Sequence, residues 1–230
     1  MFDFILAFIA LIILSPLLIP LSIILKLTGE HYIFYMHKRV GLNGKQFDLI
    51  KFSTMLVNSP NLGSGDVTVH RDPRVLPVGH FLRATKINEL PQLLNILKGD
   101  MSFVGPRPLT PKVFNYYTEE AKSIVIKMKP GLTGAGSIIF RDEESIIGKS
   151  NLPWEECVKQ EIMPRKAAAE EWYSRHQSFL TDLKLIFITA WVVIFPASDI
   201  MKRIFNDIPE KKFQDPNSKI QIPSGNIERS

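Results

Sequence analysis

Between residues 70 and 112, seven lysines and arginines stand against three acidic residues, Asp72, Glu89 and Asp100. That imbalance favours anions as ligands. Within it, Arg107 lies between two prolines in Gly105-Pro106-Arg107-Pro108. Proline fixes its own φ and restricts the residue before it, so such a turn holds a guanidinium where its planar donors can grip a phosphate. An arginine on an ordinary surface turn is the competing reading. Arg83 and Lys86 precede a helix start near Asn88, and the free N–H groups and dipole of a helix N-terminus attract phosphate. Glu89, in that first turn, has the chemistry to carry a divalent cation or accept a proton. On these residues alone it reads more simply as a partner of the helix dipole.

These groups need elements to position them. Leu90, Leu93, Leu94 and Leu97 recur at helical spacing and predict a helix over 89–98, with Asn88 as N-cap, Pro91 in the first turn and Gly99 as the stop. Gln46 to Phe52 alternates as a strand does, and the turn at residues 41–44 before it predicts a hairpin. Residues 58–65 read as a loop and 71–74 continue irregularly, while 129–136 form a turn-rich connection. Further helices are predicted over 111–127 and 155–176. The apolar stretch from Leu183 to Ala197 is short for a membrane span and predicts an interfacial helix, a core helix being the alternative. The chain after residue 200, with Pro209, Pro216 and Pro223, reads as a weakly ordered tail over 201–230.

The chain begins with a different kind of segment. Phe4 to Leu25 contains no charge, long enough as a helix to cross about 30 Å of hydrocarbon. Asp3 before it and Lys26 after it do not fit a cleaved signal peptide, so residues 1–27 are expected to be retained. Pro16 cannot donate to the carbonyl of Ile12 and is expected to bend the helix, with the Ser15 hydroxyl bonding back to a freed carbonyl. A kinked span and a re-entrant hairpin both satisfy these residues. Lys26, Lys38, Arg39, Lys45 and Lys51 follow the segment and put the remainder, residues 28–200, in the cytoplasm under either geometry.

The 230 residues, 45% hydrophobic and 22% charged, are an ordinary globular composition, which excludes disorder and a polytopic membrane bundle. Cys157 is the only cysteine. A disulfide framework and a zinc site built on paired cysteines are therefore excluded. The net charge of +5 suits nucleic acid, anionic lipid or phosphorylated small molecules. Nucleic acid is disfavoured, because the basic residues are interleaved with rigid Pro/Gly motifs and not with aromatic stacking platforms.

Several stretches resemble one family in order. They are Arg39-Val40-Gly41 with Asn43-Gly44-Lys45, Lys51-Phe52 through Thr54-Met55, Glu89-Leu90-Pro91-Gln92-Leu93, Leu97-Lys98-Gly99-Asp100-Met101-Ser102, Val104-Gly105-Pro106-Arg107-Pro108 and Lys129-Pro130-Gly131-Leu132-Thr133-Gly134. Together they resemble the bacterial sugar transferases, and more narrowly the monotopic polyprenyl-phosphate hexose-1-phosphate transferases. The resemblance runs from Ser15-Pro16 to about residue 195. It implies a helix-rich mixed α/β domain on the cytoplasmic face of the bacterial inner membrane. Such a domain transfers a sugar 1-phosphate from a UDP-sugar to undecaprenyl phosphate, releases UMP, requires Mg²⁺ and starts the assembly of lipopolysaccharide, capsule or exopolysaccharide. Membrane lipid is a further implied partner, nucleic acid is not, and a homodimer is compatible. A Ser-Pro break in that family makes a re-entrant helix, which selects the second geometry for Ser15 and Pro16.

Carried over position by position, the resemblance implies that Arg83 and Arg107 bind phosphate and that Lys51 faces a substrate phosphate. Glu89 matches the second carboxylate of an Asp-Glu pair and a metal ligand, and Asp182 in Leu180-Thr181-Asp182-Leu183-Lys184 a further acidic position at the metal. The chain departs from the family at Asn88, where a nucleophilic aspartate is usual. It departs again after Gly134, where Ser137-Ile138-Ile139-Phe140-Arg141-Asp142-Glu143-Glu144 stands. A carboxamide is not a nucleophile toward phosphorus. Four routes remain: Asn88 only orients Glu89, Glu89 itself attacks, the acidic group at Asp142, Glu143 and Glu144 supplies the carboxylate, or the acceptor phosphate attacks directly. A membrane-bound binding homologue without turnover is the alternative function.

Overall fold

The computed structural model describes residues 2–62, 72–196 and 198–208, without the side chains of Pro60 and Lys202. Helix α1 (Phe2–Leu27) keeps its helical pattern through Pro16 and Pro20, so the expected break at Ser15-Pro16 does not interrupt it. The reason is local. Ser15 Oγ donates to Ile12 O at 2.8 Å, satisfying the carbonyl that Pro16 leaves unpaired, and Ser22 Oγ donates to Leu18 O at 2.7 Å. The helix packs on the domain along both halves. Ala7 is buried with Leu49, Leu93, Ile96 and Met101, while Leu21 and Leu25 are buried with Phe52 and Leu82. Its opposite side exposes Phe4, Phe8, Ile12, Ile13, Ile19 and Ile23.

Strands β1 (Phe34–Val40) and β2 (Gln46–Phe52) form the expected antiparallel hairpin, from Phe34 opposite Phe52 to Val40 opposite Gln46. A 3-10 turn over Leu42–Gly44 reverses the chain, with positive φ at Asn43 and Gly44. Beyond the hairpin, Arg74 is buried, bonds Asp72 in a fork at 2.8 and 2.6 Å and donates to the carbonyls of Ser59 and Leu62. This buried ion pair shapes the irregular stretch expected at 71–74; residues 63–71, which include the end of the loop expected at 58–65, lie outside the described residues. Helix α2 (Pro77–Ala84) follows.

The helix expected at 89–98 is two pieces. Ile87–Gln92 is a 3-10 helix, and α3 (Leu93–Lys98) is the α-helical part, ended by Gly99 at φ 84°. Pro91 cannot give the N–H that an α-turn from Ile87 needs, so the start winds more tightly. Asn88 is therefore not a cap: Lys86, at φ 60°, opens the 3-10 turn, and Asn88 is buried inside it. Asn95 pins α3 to β2, its Oδ1 accepting from Ile50 N at 3.0 Å and its Nδ2 donating to Asp48 O at 2.8 Å.

Within the expected turn-rich connection lies a strand. β3 (Ser102–Val104) and β4 (Gly131–Thr133) pair in parallel, and Gly105 N donates to Thr133 O at 3.0 Å while Gly131 N donates to Pro106 O at 2.9 Å. The two motifs are thus one structure: a Cβ on Gly105, Gly131 or Gly134 would overlap the backbone of the other segment. Gly134→Ala is expected to cost on the order of 4 kcal/mol or more. For a domain of this size that is a fall in Tm of roughly 10 °C, read by thermal unfolding of the detergent-solubilised protein. An unchanged Tm would contradict the close approach.

Between these strands the helix expected at 111–127 is split into α4 (Pro111–Phe114) and α5 (Glu119–Val125), because Thr110 and Thr118 each cap a separate start. After β4 come α6 (Ala135–Ile139), α7 (Glu143–Lys149) and α8 (Trp154–Cys157). A π-helical turn over Val158–Ile162 then leads into α9 (Met163–His176), so the helix expected at 155–176 is three consecutive pieces, α8, the π turn and α9. Helix α10 (Phe179–Ile194) has one core face and one exposed apolar face. Leu185, Ile188 and Val192 are buried in the largest core cluster, while Phe179, Leu180, Leu183, Phe187 and Ile194 are exposed. Helix α11 (Ile200–Ile204) corrects the tail boundary: Met201 and Ile208 are buried in that same cluster, so the domain includes residues 201–208. The expected tail from 209 onward lies outside the described residues.

Candidate active site

The end of β2, the 3-10 turn and the turn after β3 converge on one carboxylate. Glu89 Oε1 accepts from Lys51 Nζ at 2.9 Å and from Arg107 NH2 at 3.4 Å. The side chains of Lys51 and Glu89 are only 20% and 16% exposed, so their charges act through little water. Burial opposes the charged form of Glu89, but Lys51 and then Arg107 outweigh it and hold the carboxyl well below the usual range. For Lys51 burial dominates, lowering its pKa to about 8 against the pull of Glu89. Arg107 is held charged chiefly by Glu89. The sequence expectations for Lys51, Glu89 and Arg107 thus meet in one cluster. Asn88, beside it, has a buried Oδ1 with no partner among the described residues.

A second ring of charges surrounds Arg107. Arg83, in the last turn of α2, donates to Glu144 Oε1 at 2.6 Å, and Lys166 of α9 donates to Glu143 Oε2 at 2.5 Å. Glu143 and Glu144 both act on Arg107. Asp142 does not join them: its side chain is 70% exposed, and its carboxylate pairs with its neighbour Arg141 at 3.4 Å. The acidic group thus reaches the site through its second and third members, Glu143 and the half-exposed Glu144 at the start of α7.

Asp182 lies elsewhere. On α10, it accepts from Tyr173 Oη at 2.7 Å and feels the charge of Asp3, in a cleft of about 350 Å³ with Ser102, Lys129 and Ser178. No hydrogen bond or ion pair among the described residues joins it to Glu89. Lys166 and Glu170 escaped the sequence reading. They sit one helical turn apart on the inward face of α9, with Ala169 and Tyr173, all buried. That spacing, a Lys and a Glu on the stripe that carries Ala169 and Tyr173, was the available signal.

The donor set suits a hard cation. Both protein cations bond Oε1 of Glu89, no protein donor reaches its Oε2 among the described residues, and the orphaned Asn88 Oδ1 is a neutral oxygen next to it in sequence. Magnesium is commonly held by one or two carboxylates together with substrate phosphates. Glu89 fits that role, and Asp182 shares no contact with it.

A partly buried lysine, a proline-flanked arginine and an ionised carboxylate meet on a small mixed α/β domain beside an apolar helix. The bacterial sugar transferase profile matches residues 1–196, and the chain belongs to that family. The exopolysaccharide production protein ExoY of Sinorhizobium fredii is 34% identical over 202 residues, covering 82% of this chain and 81% of that protein. The undecaprenyl-phosphate galactose phosphotransferase of Salmonella typhimurium is 32% identical over 207 residues, covering 84% of this chain and 40% of its own length. The UDP-glucose:undecaprenyl-phosphate glucose-1-phosphate transferase of Escherichia coli is 32% identical over 192 residues, covering 82% and 38%. The chain therefore spans well under half of the latter two relatives.

Proposed function

We propose that the protein transfers a sugar 1-phosphate from a UDP-sugar to undecaprenyl phosphate, releasing UMP and starting surface-glycan assembly. The observation that carries the reading is the Lys51–Glu89–Arg107 cluster, three groups suited to a diphosphate and its counter-cation, on a domain with an exposed apolar helix. The names of the Salmonella and Escherichia relatives support the substrates. UMP release from a panel of UDP-sugars, dependent on added undecaprenyl phosphate, tests it. Binding of both substrates without UMP would favour the alternative, a homologue without turnover, which the amide at Asn88 motivates.

In this reading Arg107 and Lys51 hold the donor diphosphate, and Arg83 reaches it once Glu144 yields. Glu89, together with the donor phosphates, would hold a divalent cation such as Mg²⁺, which would supply charge neutralisation. Glu89 is a poor attacker, because two cations bond its Oε1 and hold its pKa strongly down. An oxygen of the acceptor phosphate therefore attacks the phosphorus that carries the sugar. The bond from that phosphorus to the bridging oxygen breaks, and UMP leaves with the oxygen.

The acceptor's chain must stay in lipid while its phosphate reaches this cluster. Both ends of α1 touch the same domain: Asp3 accepts from Ser102 Oγ at 2.8 Å, Phe2 packs edge-on against Phe179 at 5.3 Å, and Leu25 is buried against α2 and β2. A helix tied at both ends to one domain supports entry and exit through a single leaflet, with the exposed faces of α1 and α10 as one apolar surface on the cytoplasmic side of the inner membrane. Cysteines introduced at Phe2 and Lys26 are then both expected to be shielded from an impermeant thiol reagent added outside intact cells. Cys157 is buried and does not interfere. Labelling of the Phe2 position from outside would overturn this topology.

A further inference from the structure

Beneath the Arg107 turn lies a carboxyl that the reaction above does not use. Glu170 is 1% exposed, its Oε1 accepts from Arg107 N at 3.4 Å, and its Oε2 has no partner among the described residues. Gly136 of α6 makes the space, since a Cβ there would overlap Oε1. Lys166, the nearest cation on the same helix, is committed to Glu143. A buried ionised carboxylate with an unpaired oxygen is strongly disfavoured, whereas the neutral acid is tolerated.

We propose that Glu170 is a positioning residue for Arg107, supporting the main chain of the proline-flanked turn as a neutral acid, and that its ionisation in alkaline solution weakens the hold on the donor phosphates. The inference rests on the proposed transfer reaction for its kinetic arm only. The surroundings agree: burial, first among the causes, pushes Glu170 up to about 8, against the Arg107 backbone, Lys166 and the Arg107 charge. Facing it from outside α9 is Tyr117, whose hydroxyl is raised by burial and then by Glu170 and Glu143; on α9 itself, Tyr173 reaches Asp182. Helix α6 offers no titratable side chain, and Lys122 of α5 pairs with the exposed Glu119. When Glu170 loses its proton, a negative charge appears next to Arg107 and competes with the donor for the guanidinium.

The test compares the full-length protein in nanodiscs with Glu170→Gln, which mimics the neutral acid, and Glu170→Leu, which removes the acceptor. Infrared difference spectra of wild type minus Glu170→Gln at pH 6.5 are expected to show a protonated carboxyl band that fades as the pH passes 8. Donor KM is expected to match within about twofold between wild type and Glu170→Gln at pH 6.5 and to be about fivefold higher in wild type at pH 9.5. Lys51 titrates in both proteins, so the ratio isolates Glu170. Glu170→Leu is expected to lose about tenfold in kcat/KM for the donor at every pH. Absence of the band at pH 6.5, or a flat KM ratio, overturns the proposal. If wild type releases no UMP, the transfer reading falls and the band alone decides the state of Glu170.

Discussion

Glu89→Gln is expected to lower UMP release by about 10² or more while leaving the protein folded. The carboxylate does two things that an amide cannot. It neutralises Lys51 and Arg107 between turnovers, and its Oε2 is available to a divalent cation. Removing the charge also changes Lys51. Burial already lowers that lysine to about 8, and Glu89 is what holds it there. Without the partner its pKa falls further, so the alkaline limb of the pH–rate profile moves to lower pH. Stability shifts in the opposite range. Because the folded pKa of Glu89 is depressed, its contribution is present above the ordinary carboxyl pKa and is lost as the pH falls toward the folded value. The variant is therefore expected to be less stable than the wild type near neutral pH, with the difference closing as the pH falls toward the folded value. A rate within threefold of wild type, measured per folded molecule, would remove Glu89 from the chemistry.

Much of this site was legible because its signals are short-range. The prolines around Arg107, the stop at Gly99 and the strand over 46–52 each depend on a few neighbouring residues. The errors came where distant segments decide. Asn88 looked like a cap from its type, but Pro91 tightened the turn and buried it. The strand Gly131–Thr133 has only three residues, too few to alternate, and exists because Gly105 lets a second backbone approach. Asp142 and Glu144 were indistinguishable in one acidic run. Only the start of α7 decides that Glu144 faces Arg83 while Asp142 meets water. Lys166 and Glu170 were missed because charged residues on a helix are ordinarily solvated, and their burial depends on partners from α7 and the Arg107 turn.

Arg107→Ala is expected to reduce kcat/KM for the donor by about 10² or more, the cost of removing one aimed donor from a developing phosphoryl charge. Arg107→Lys recovers only part of this, because an ammonium cannot make the two parallel bonds that a guanidinium makes. Arg83→Ala should cost less, since Arg83 is bonded to the half-exposed Glu144 and must first release it. The comparison that separates phosphate binding from a structural role is a double-mutant cycle with Glu89→Gln. Arg107 and Glu89 touch at 3.4 Å, so their effects are not independent. If the two act as one unit on the donor diphosphate, the double variant loses hardly more than the worse single variant. If Arg107 only holds the fold, the losses multiply and Tm falls with the rate. Near-normal turnover in Arg107→Ala would show that the proline-flanked turn presents its guanidinium to something other than the reacting phosphate.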